Sequence, residues 1–349
     1  MSGERSPGSP HLAVRKDWLA LVDEPAIDPQ LLIIDAHHHL WDRPESHYLL
    51  DDYLDDLDSG HRVVASVYVQ CRSMFSVDRP EAFRCVGEVE FANGVAARSA
   101  SGIYGSPRIC AAIVAGADLR LGQAVVPVLD EMLERAGPRL QGIRNTTAWH
   151  ADPAMVSNPR PPPPQVLAER QFRQGVKCLR DYDLALDVWG YHTQLGEILD
   201  LARAFPDQVI VVDHVGGPVG IGPFAGRRDE VFAEWAQLIL QLAGCPNVRV
   251  KLGGLGMNVG GFALHTRTLP PDSQTLAALW RPYILHCIES FGAERCMFES
   301  NFPVDKGMYS YGVMWNAFKR ITAPFSVDER AQLFSGVAAS TYRISIPPN

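Results

Sequence analysis

Eight short runs rich in Val, Ile, Ala, Leu and Gly recur along this chain, at residues 33–40, 63–70, 109–116, 140–145, 184–190, 209–216, 248–254 and 296–303. Their length and β-branched content read as buried strands, and each is followed by a stretch able to form a helix or a long loop. Strands that alternate with helical segments pair in parallel, because every crossover returns the chain to the same end of the sheet. Eight of them can close on themselves. The expectation is an α/β chain with one domain, a (β/α)8 or TIM barrel over residues 31–345, preceded by a flexible leader over residues 1–30.

Among the connections, residues 230–242 carry Val231, Phe232, Trp235, Leu238, Ile239 and Leu242 at helical spacing, and Ser326 is placed to cap a helix that starts at Asp328. The stretch 158–164 holds five prolines. Proline lacks the amide donor and fixes φ, so an extended excursion in the loop after the fourth strand is expected there.

With 46% hydrophobic and 21% charged residues the chain can bury a large core. A net charge of −8 without a dense Lys/Arg block argues against nucleic acid and anionic membrane as partners. The longest apolar runs fall far short of the roughly 20 residues of a spanning helix. Residues 1–10 are polar and rich in Gly, Pro and Ser, without the apolar centre of a signal peptide, so a cytoplasmic protein is expected. Seven scattered cysteines, none in a C-x-x-C pair, favour small core residues over a disulfide framework or a thiolate metal site.

The first run ends in Asp35-Ala36-His37-His38-His39. Side chains two apart on a strand share a face, so Asp35, His37 and His39 are expected on one side, with Ala36 and His38 on the other. Two neutral imidazoles converging on one point are good ligands for zinc and similar divalent metals. The sixth run stops at Asp213-His214-Val215-Gly216-Gly217 and places a third imidazole, His214, at the same rim, while Asp213 is expected to face the opposite way. Gln70, Arg144, Lys251 and Asn301 also lie near run ends, where barrels of this kind carry their active sites.

The segments Asp35-Ala36-His37-His38-His39-Leu40-Trp41, Gly142-Ile143-Arg144, Asp213-His214-Val215-Gly216-Gly217-Pro218 and Phe298-Glu299-Ser300-Asn301-Phe302-Pro303 together resemble the amidohydrolase superfamily, in its amidohydrolase 2 branch of lactonase-like enzymes. The resemblance spans residue 33 to about residue 343. It implies a distorted (β/α)8 barrel with a divalent metal, usually zinc, at its mouth, although some lactonases of the branch work without metal. By position, His37 and His39 match the first-strand ligands, His214 matches the sixth-strand histidine, and Arg144 matches an arginine able to hold a carboxylate. The branch includes hydrolases of sugar lactones and of lactones from aromatic degradation, and the wider superfamily includes metal-dependent decarboxylases.

One position departs from the pattern. Where the family has an aspartate that binds metal and acts as base, this chain has Asn301, whose amide takes no proton near neutral pH. Glu299 shares the strand face but lies roughly 7 Å deeper at about 3.3 Å per residue. Asp305, beyond Pro303, could curl back over the mouth, or bound metal alone could bring water to a pKa of about 7. Without the aspartate, three neutral imidazoles leave a formal +2 on the metal, which favours an acidic substrate.

Lys251 can stabilise an oxyanion or pair with Glu299. Gln70 and Arg144 can orient substrate, and Trp189, Tyr191 and His192 can line the pocket. The expected function is metal-dependent hydrolysis of a small, carboxylated lactone or related cyclic ester or amide. The alternatives are a non-oxidative decarboxylase and a barrel that binds a metabolite without turnover. A small-molecule substrate is the expected partner, and homo-oligomerisation stays open.

Overall fold

A computed structural model describes residues 11–44, 46–158 and 160–345. Each of the eight apolar runs contributes one strand: β1 Ile33–His38, β2 Val63–Val69, β3 Arg108–Gly116, β4 Leu140–Thr146, β5 Ala185–Trp189, β6 Ile210–Val212, β7 Val248–Leu252 and β8 Cys296–Phe298. They pair in parallel and in chain order. The seam between β8 and β1 is bridged just past the strand ends, by Asn301 N donating to His37 O (2.8 Å) and His39 N to Phe302 O (2.7 Å). The result is a nearly closed barrel in a single domain.

Alternation along the strands splits the core into two layers. Ile34, Ala36, Val67, Val69, Ala112, Val114, Val211 and Met297 fill the barrel interior, joined by Val337, Ala338, Tyr342 and Ile344 from the C-terminal segment. That segment plugs one end of the barrel. Ile33, Tyr68, Ile113, Ile143, Leu186 and Ile210 point outward into the larger core under the helices.

The helix expected over 230–242 is Arg228–Ala243, with Val231, Trp235, Ile239 and Leu242 buried. Ser326 caps Val327–Ala331 in a reciprocal box: Glu329 N donates to its hydroxyl (3.2 Å), and its own N–H donates to the Glu329 carboxylate (2.8 Å). The sixth run is a strand only to Val212, because His214 and Val215 take left-handed φ values of 56° and 48° and turn the chain out of the sheet.

Residues 1–10 of the expected leader lie outside the described residues. Residues 11–30 run along the barrel: Trp18 and Leu19 are buried, Trp18 Nε1 donates to Thr268 O (3.1 Å), and Ile27 N donates to Asn316 Oδ1 (2.8 Å). All seven cysteines are free thiols, and six of them are buried. No helix among the described residues is long and apolar enough to cross a membrane.

Candidate active site

The β1 register shifts between Asp35 and His38, and the shift decides which side chains reach the barrel interior. Ile34 and Ala36 face inward, and after the irregularity His37 does too. Asp35 therefore faces the helices, not the side it was expected to share with His37 and His39. It accepts from Ser300 N (2.8 Å), Ser300 Oγ (2.6 Å), Tyr53 OH (2.8 Å) and Tyr311 OH (3.1 Å). His38 stacks on the same Tyr53 with ring centroids 4.2 Å apart, and burial pushes its pKa down to about 3.

The three predicted histidines do come together. His37 Nε2 and His39 Nε2 are 3.2 Å apart, and the His37 and His214 ring centroids are 4.6 Å apart. His39 Nδ1 lies 2.7 Å from Val69 O and His214 Nδ1 lies 2.7 Å from Glu299 Oε1. A carbonyl and a carboxylate only accept, so both Nδ1 atoms carry hydrogen, and in the neutral ring the lone pair then sits on Nε2.

For His37, Arg144 Nη1 faces Nε2 at 3.3 Å, while Lys251 Nζ (3.2 Å), Glu299 Oε2 (3.0 Å) and Asp213 Oδ1 (3.6 Å) crowd Nδ1. Two neighbouring carboxylates outweigh one ammonium and keep the hydrogen on Nδ1, which leaves Nε2 to accept. Burial and the Lys251 charge lower His37 to about 4, and burial with the His37 and Arg144 charges holds His39 well below its ordinary value. Both are neutral imidazoles at pH 7.

Beneath the histidines lies a fully buried charge layer. Lys251 Nζ pairs with Asp187 Oδ2 (2.6 Å) and Asp213 Oδ1 (3.1 Å), so its carboxylate partners are not the expected Glu299. Arg144 donates to Asp213 Oδ2 (3.1 Å) and to Gln70 O (2.5 Å). Tyr342 OH, from the C-terminal plug, donates to Asp187 Oδ2 (2.8 Å).

Burial raises Asp187 to about 6 despite Lys251, whereas for Asp213 the charges of Lys251, His37 and Arg144 overcome burial and hold the carboxyl well below its ordinary value. Glu299 is lowered as well, against burial, by His214 and His37. Asp213 and His214 both face the site, contrary to strict alternation, because the left-handed His214 breaks the strand geometry between them. Glu299, expected to lie too deep, touches two of the three histidines, and its charge with that of Asp213 offsets the negative charge lost at Asn301.

Asn301 also takes a left-handed φ, 55°, and its Nδ2 donates to Asp305 Oδ1 (2.8 Å). Asp305 does not close over the mouth. A 3-10 turn, Asp305–Gly307, folds it behind Asn301, where Gly256 N (2.8 Å) and Tyr309 OH donate to it and burial raises it to about 6.

The donor set has the charge and spacing of a divalent-metal site. Asp187, Asp213 and Glu299 share this layer with Lys251 and Arg144, a formal surplus of one negative charge, and Glu299 Oε2 lies 3.0 Å from His37 Nδ1. Two nitrogens at about 2.0–2.1 Å from one tetrahedral zinc stand roughly 3.3 Å apart, close to the His37–His39 separation of 3.2 Å. His37, His214 and Glu299 form the compact ligand set among the described residues, with their ligand atoms all within 4.8 Å of one another. The residues fit such an ion.

Above the histidines opens a cavity of about 710 Å³, whose lining includes His39, Gln70, Arg144, Trp189, His214 and Asn301. The Trp189 ring meets His214 edge-on at 4.8 Å. Tyr191 and His192 do not line the cavity. The chain turns away after Gly190, so Tyr191 OH donates to Met155 O (2.8 Å) and the His192 ring packs on Phe224 at 4.8 Å. At Gly254 the φ of +67° and the 2.5 Å that would separate an added Cβ from His214 leave room only for glycine.

Sequence reasoning missed Asp187 and Tyr342. The signal for Asp187 was a lone carboxylate inside an apolar run.

The chain is 34% identical over 336 residues to the uncharacterised protein y4mH of Sinorhizobium fredii, covering 90% of this chain and 99% of that one. It is 28% identical over 244 residues to an L-fucono-1,5-lactonase of Burkholderia ambifaria, covering 68% and 72%. Its fold matches an amidohydrolase of Burkholderia multivorans, crystallised with bound zinc, at a TM-score of 0.70 and 26% identity, over 90% of this chain and 100% of that chain. The amidohydrolase family profile matches residues 34–344, from the first barrel strand to the C-terminal plug, and the chain belongs to that family.

Proposed function

We propose that this barrel is a metal-dependent hydrolase of a small carboxylated lactone or related cyclic ester or amide. The observation that carries this reading is the triad of converging imidazoles above a buried layer in which carboxylates outnumber cations. The lactonase among the relatives and the zinc in the Burkholderia multivorans structure support it. His37, His39 and His214 would hold the ion, zinc before other divalent metals, with Glu299 beside them. A bound divalent metal supplies a Lewis acid for the substrate carbonyl and lowers the pKa of water to about 7.

The chain's own residues then divide the remaining work. Arg144 lines the cavity and keeps a buried Nε without a partner, which suits it to clamp a substrate carboxylate. Gln70 and Trp189 shape the wall that orients the ring. With its Nδ2 committed to Asp305, Asn301 offers Oδ1 as an acceptor to a substrate or water O–H, and it takes no proton. Lys251 is held by Asp187 and Asp213, so it stabilises the layer under His37 and is not an oxyanion donor. Asp305 fixes Asn301 and reaches no substrate.

The 2.7 Å contact between His214 and Glu299 favours a second, metal-free reading. A carboxylate-oriented imidazole with a free Nε2 is a general base in its own right.

Metal content by mass spectrometry and a screen of carboxylated lactones, on wild type, His37→Ala and Asn301→Asp, separate these readings. Stoichiometric zinc or manganese, ring opening without CO₂ release, and loss of both metal and activity in His37→Ala are expected. Asn301→Asp should bind metal more tightly. Activity that survives chelation and His37→Ala sinks the metal reading, and CO₂ release replaces hydrolysis with decarboxylation.

A further inference from the structure

Two sequence features have no part in the histidine site: the carboxylate Glu88 and the proline-rich excursion 158–164. Both bear on the outer wall of the cavity. Glu88, in the helix Val86–Ala100, is buried, and its Oε1 accepts from Cys71 N (2.8 Å), Ser73 N (3.0 Å) and Tyr68 OH (2.9 Å). The clamped loop carries Arg72 at φ 63° and Met74 at φ 52°, left-handed conformations that ordinary side chains rarely adopt. Strain of this kind persists only where the surroundings impose it, and it collects at binding sites.

What the strained loop presents to the cavity is the Arg72 side chain. The proline-rich excursion supplies Arg160 to the same cavity, and its charge depresses the Arg72 guanidinium, after burial. Arg43 and Arg84 complete the wall. Arg43 donates to Cys71 O (2.8 Å) and lies over Trp41 at 4.2 Å, while Arg72 lies over Phe75 at 5.5 Å, so aromatic faces brace two of the guanidinium planes.

Four arginines thus face one carboxylate, Glu81, among the described lining residues, and none of the four forms an ion pair within the described residues. Four like charges gathered on one wall that holds a single carboxylate repel one another. They are stabilised by an anion that enters.

We infer that Arg72 and Arg160, flanked by Arg43 and Arg84, form an outer subsite for a second anionic group of the substrate, remote from the carbonyl at the histidines, and that Glu88 is the positioning residue for Arg72. This inference rests on the proposed hydrolase reading for the carbonyl end of that substrate. The group is a multiply charged oxyanion, a phosphate or a polycarboxylate terminus, because several guanidinium forks match such a group bidentately. A cavity of about 710 Å³ holds the body of such a molecule between the two ends.

The test uses the full chain stripped of metal by chelation, titrated calorimetrically with inorganic phosphate and with citrate at low and high salt. Wild type is expected to bind at least one of them, more weakly at high salt, and the tighter probe identifies the group. Arg72→Ala and Arg160→Ala, both at exposed positions, should each weaken binding by about tenfold.

Glu88→Gln should weaken binding by a similar factor and add nothing in an Arg72→Ala background, since it acts through that residue. A wild type that binds neither probe, or anion binding insensitive to both arginine variants, overturns the subsite. An additive Glu88 effect overturns the positioning role. Zinc uptake by the same preparations after the chelator is removed and zinc is added back reports on the metal reading alone: arginine-dependent anion binding in a chain that takes up no zinc leaves the subsite standing and removes the metal.

Discussion

Replacing Lys251 by methionine is the sharpest probe of the charge layer under the histidines. The ammonium lies 2.6 Å from Asp187 and 3.1 Å from Asp213, with no side-chain exposure at any of the three residues. At an effective dielectric of about 20 these contacts are worth roughly 6 and 5 kcal/mol of gross attraction. Desolvating the lysine offsets several kcal/mol of that. Methionine fills a similar volume but leaves Asp187 without a cation and Asp213 with Arg144 alone, so the expected loss is about 3–5 kcal/mol at pH 7.

The pH dependence follows from the signs. Without Lys251 the Asp187 carboxyl rises further above its ordinary value, a penalty fully present above the folded pKa and removed as acid protonates it. Asp187, already raised to about 6, leads this change. The deficit should therefore shrink between pH 7 and about pH 4.5, and an added Asp187→Asn should recover part of it at pH 7. Urea unfolding of chelated protein, followed by tryptophan fluorescence, measures each difference. A deficit below about 1 kcal/mol, or one that is the same at both pH values, would refute the claim that Lys251 neutralises a buried pair.

Gly254→Ala places a Cβ 2.5 Å from His214 at a φ of +67°, so it should cost about 1–3 kcal/mol in backbone strain and displacement. Activity or metal affinity should fall further than stability, and an unchanged metal content would show that His214 is not held from this side. Asp305, raised to about 6 by burial, contributes stability that is present below its ordinary pKa and lost as pH rises through about 6. The stability of wild type minus that of Asp305→Asn should accordingly fall between about pH 4 and pH 6; a difference that rises over that window refutes the assignment.

The barrel was legible in the sequence because its information is local. Eight apolar runs of strand length with helical segments between them fix the architecture, and Ser326 with Glu329 marks a helix start by chemistry contained in four residues. The histidines were legible because strand ends in such a barrel share one rim, so His37, His39 and His214 could be grouped without knowing any distance.

Their orientations were not legible. The register shift after Asp35 in β1 reverses the phase of alternation, so that Asp35 stays outward while His37 turns inward, and a left-handed residue at His214 turns two adjacent side chains to the same side. Charge pairing was further out of reach. Lys251 meets Asp187 across 64 positions, and Tyr342 meets the same carboxylate across 155. Periodicity reports which face a residue takes relative to its neighbours in the chain. Which carboxylate lies beneath which histidine depends on how eight strands stagger as they close, and only the tertiary structure decides that.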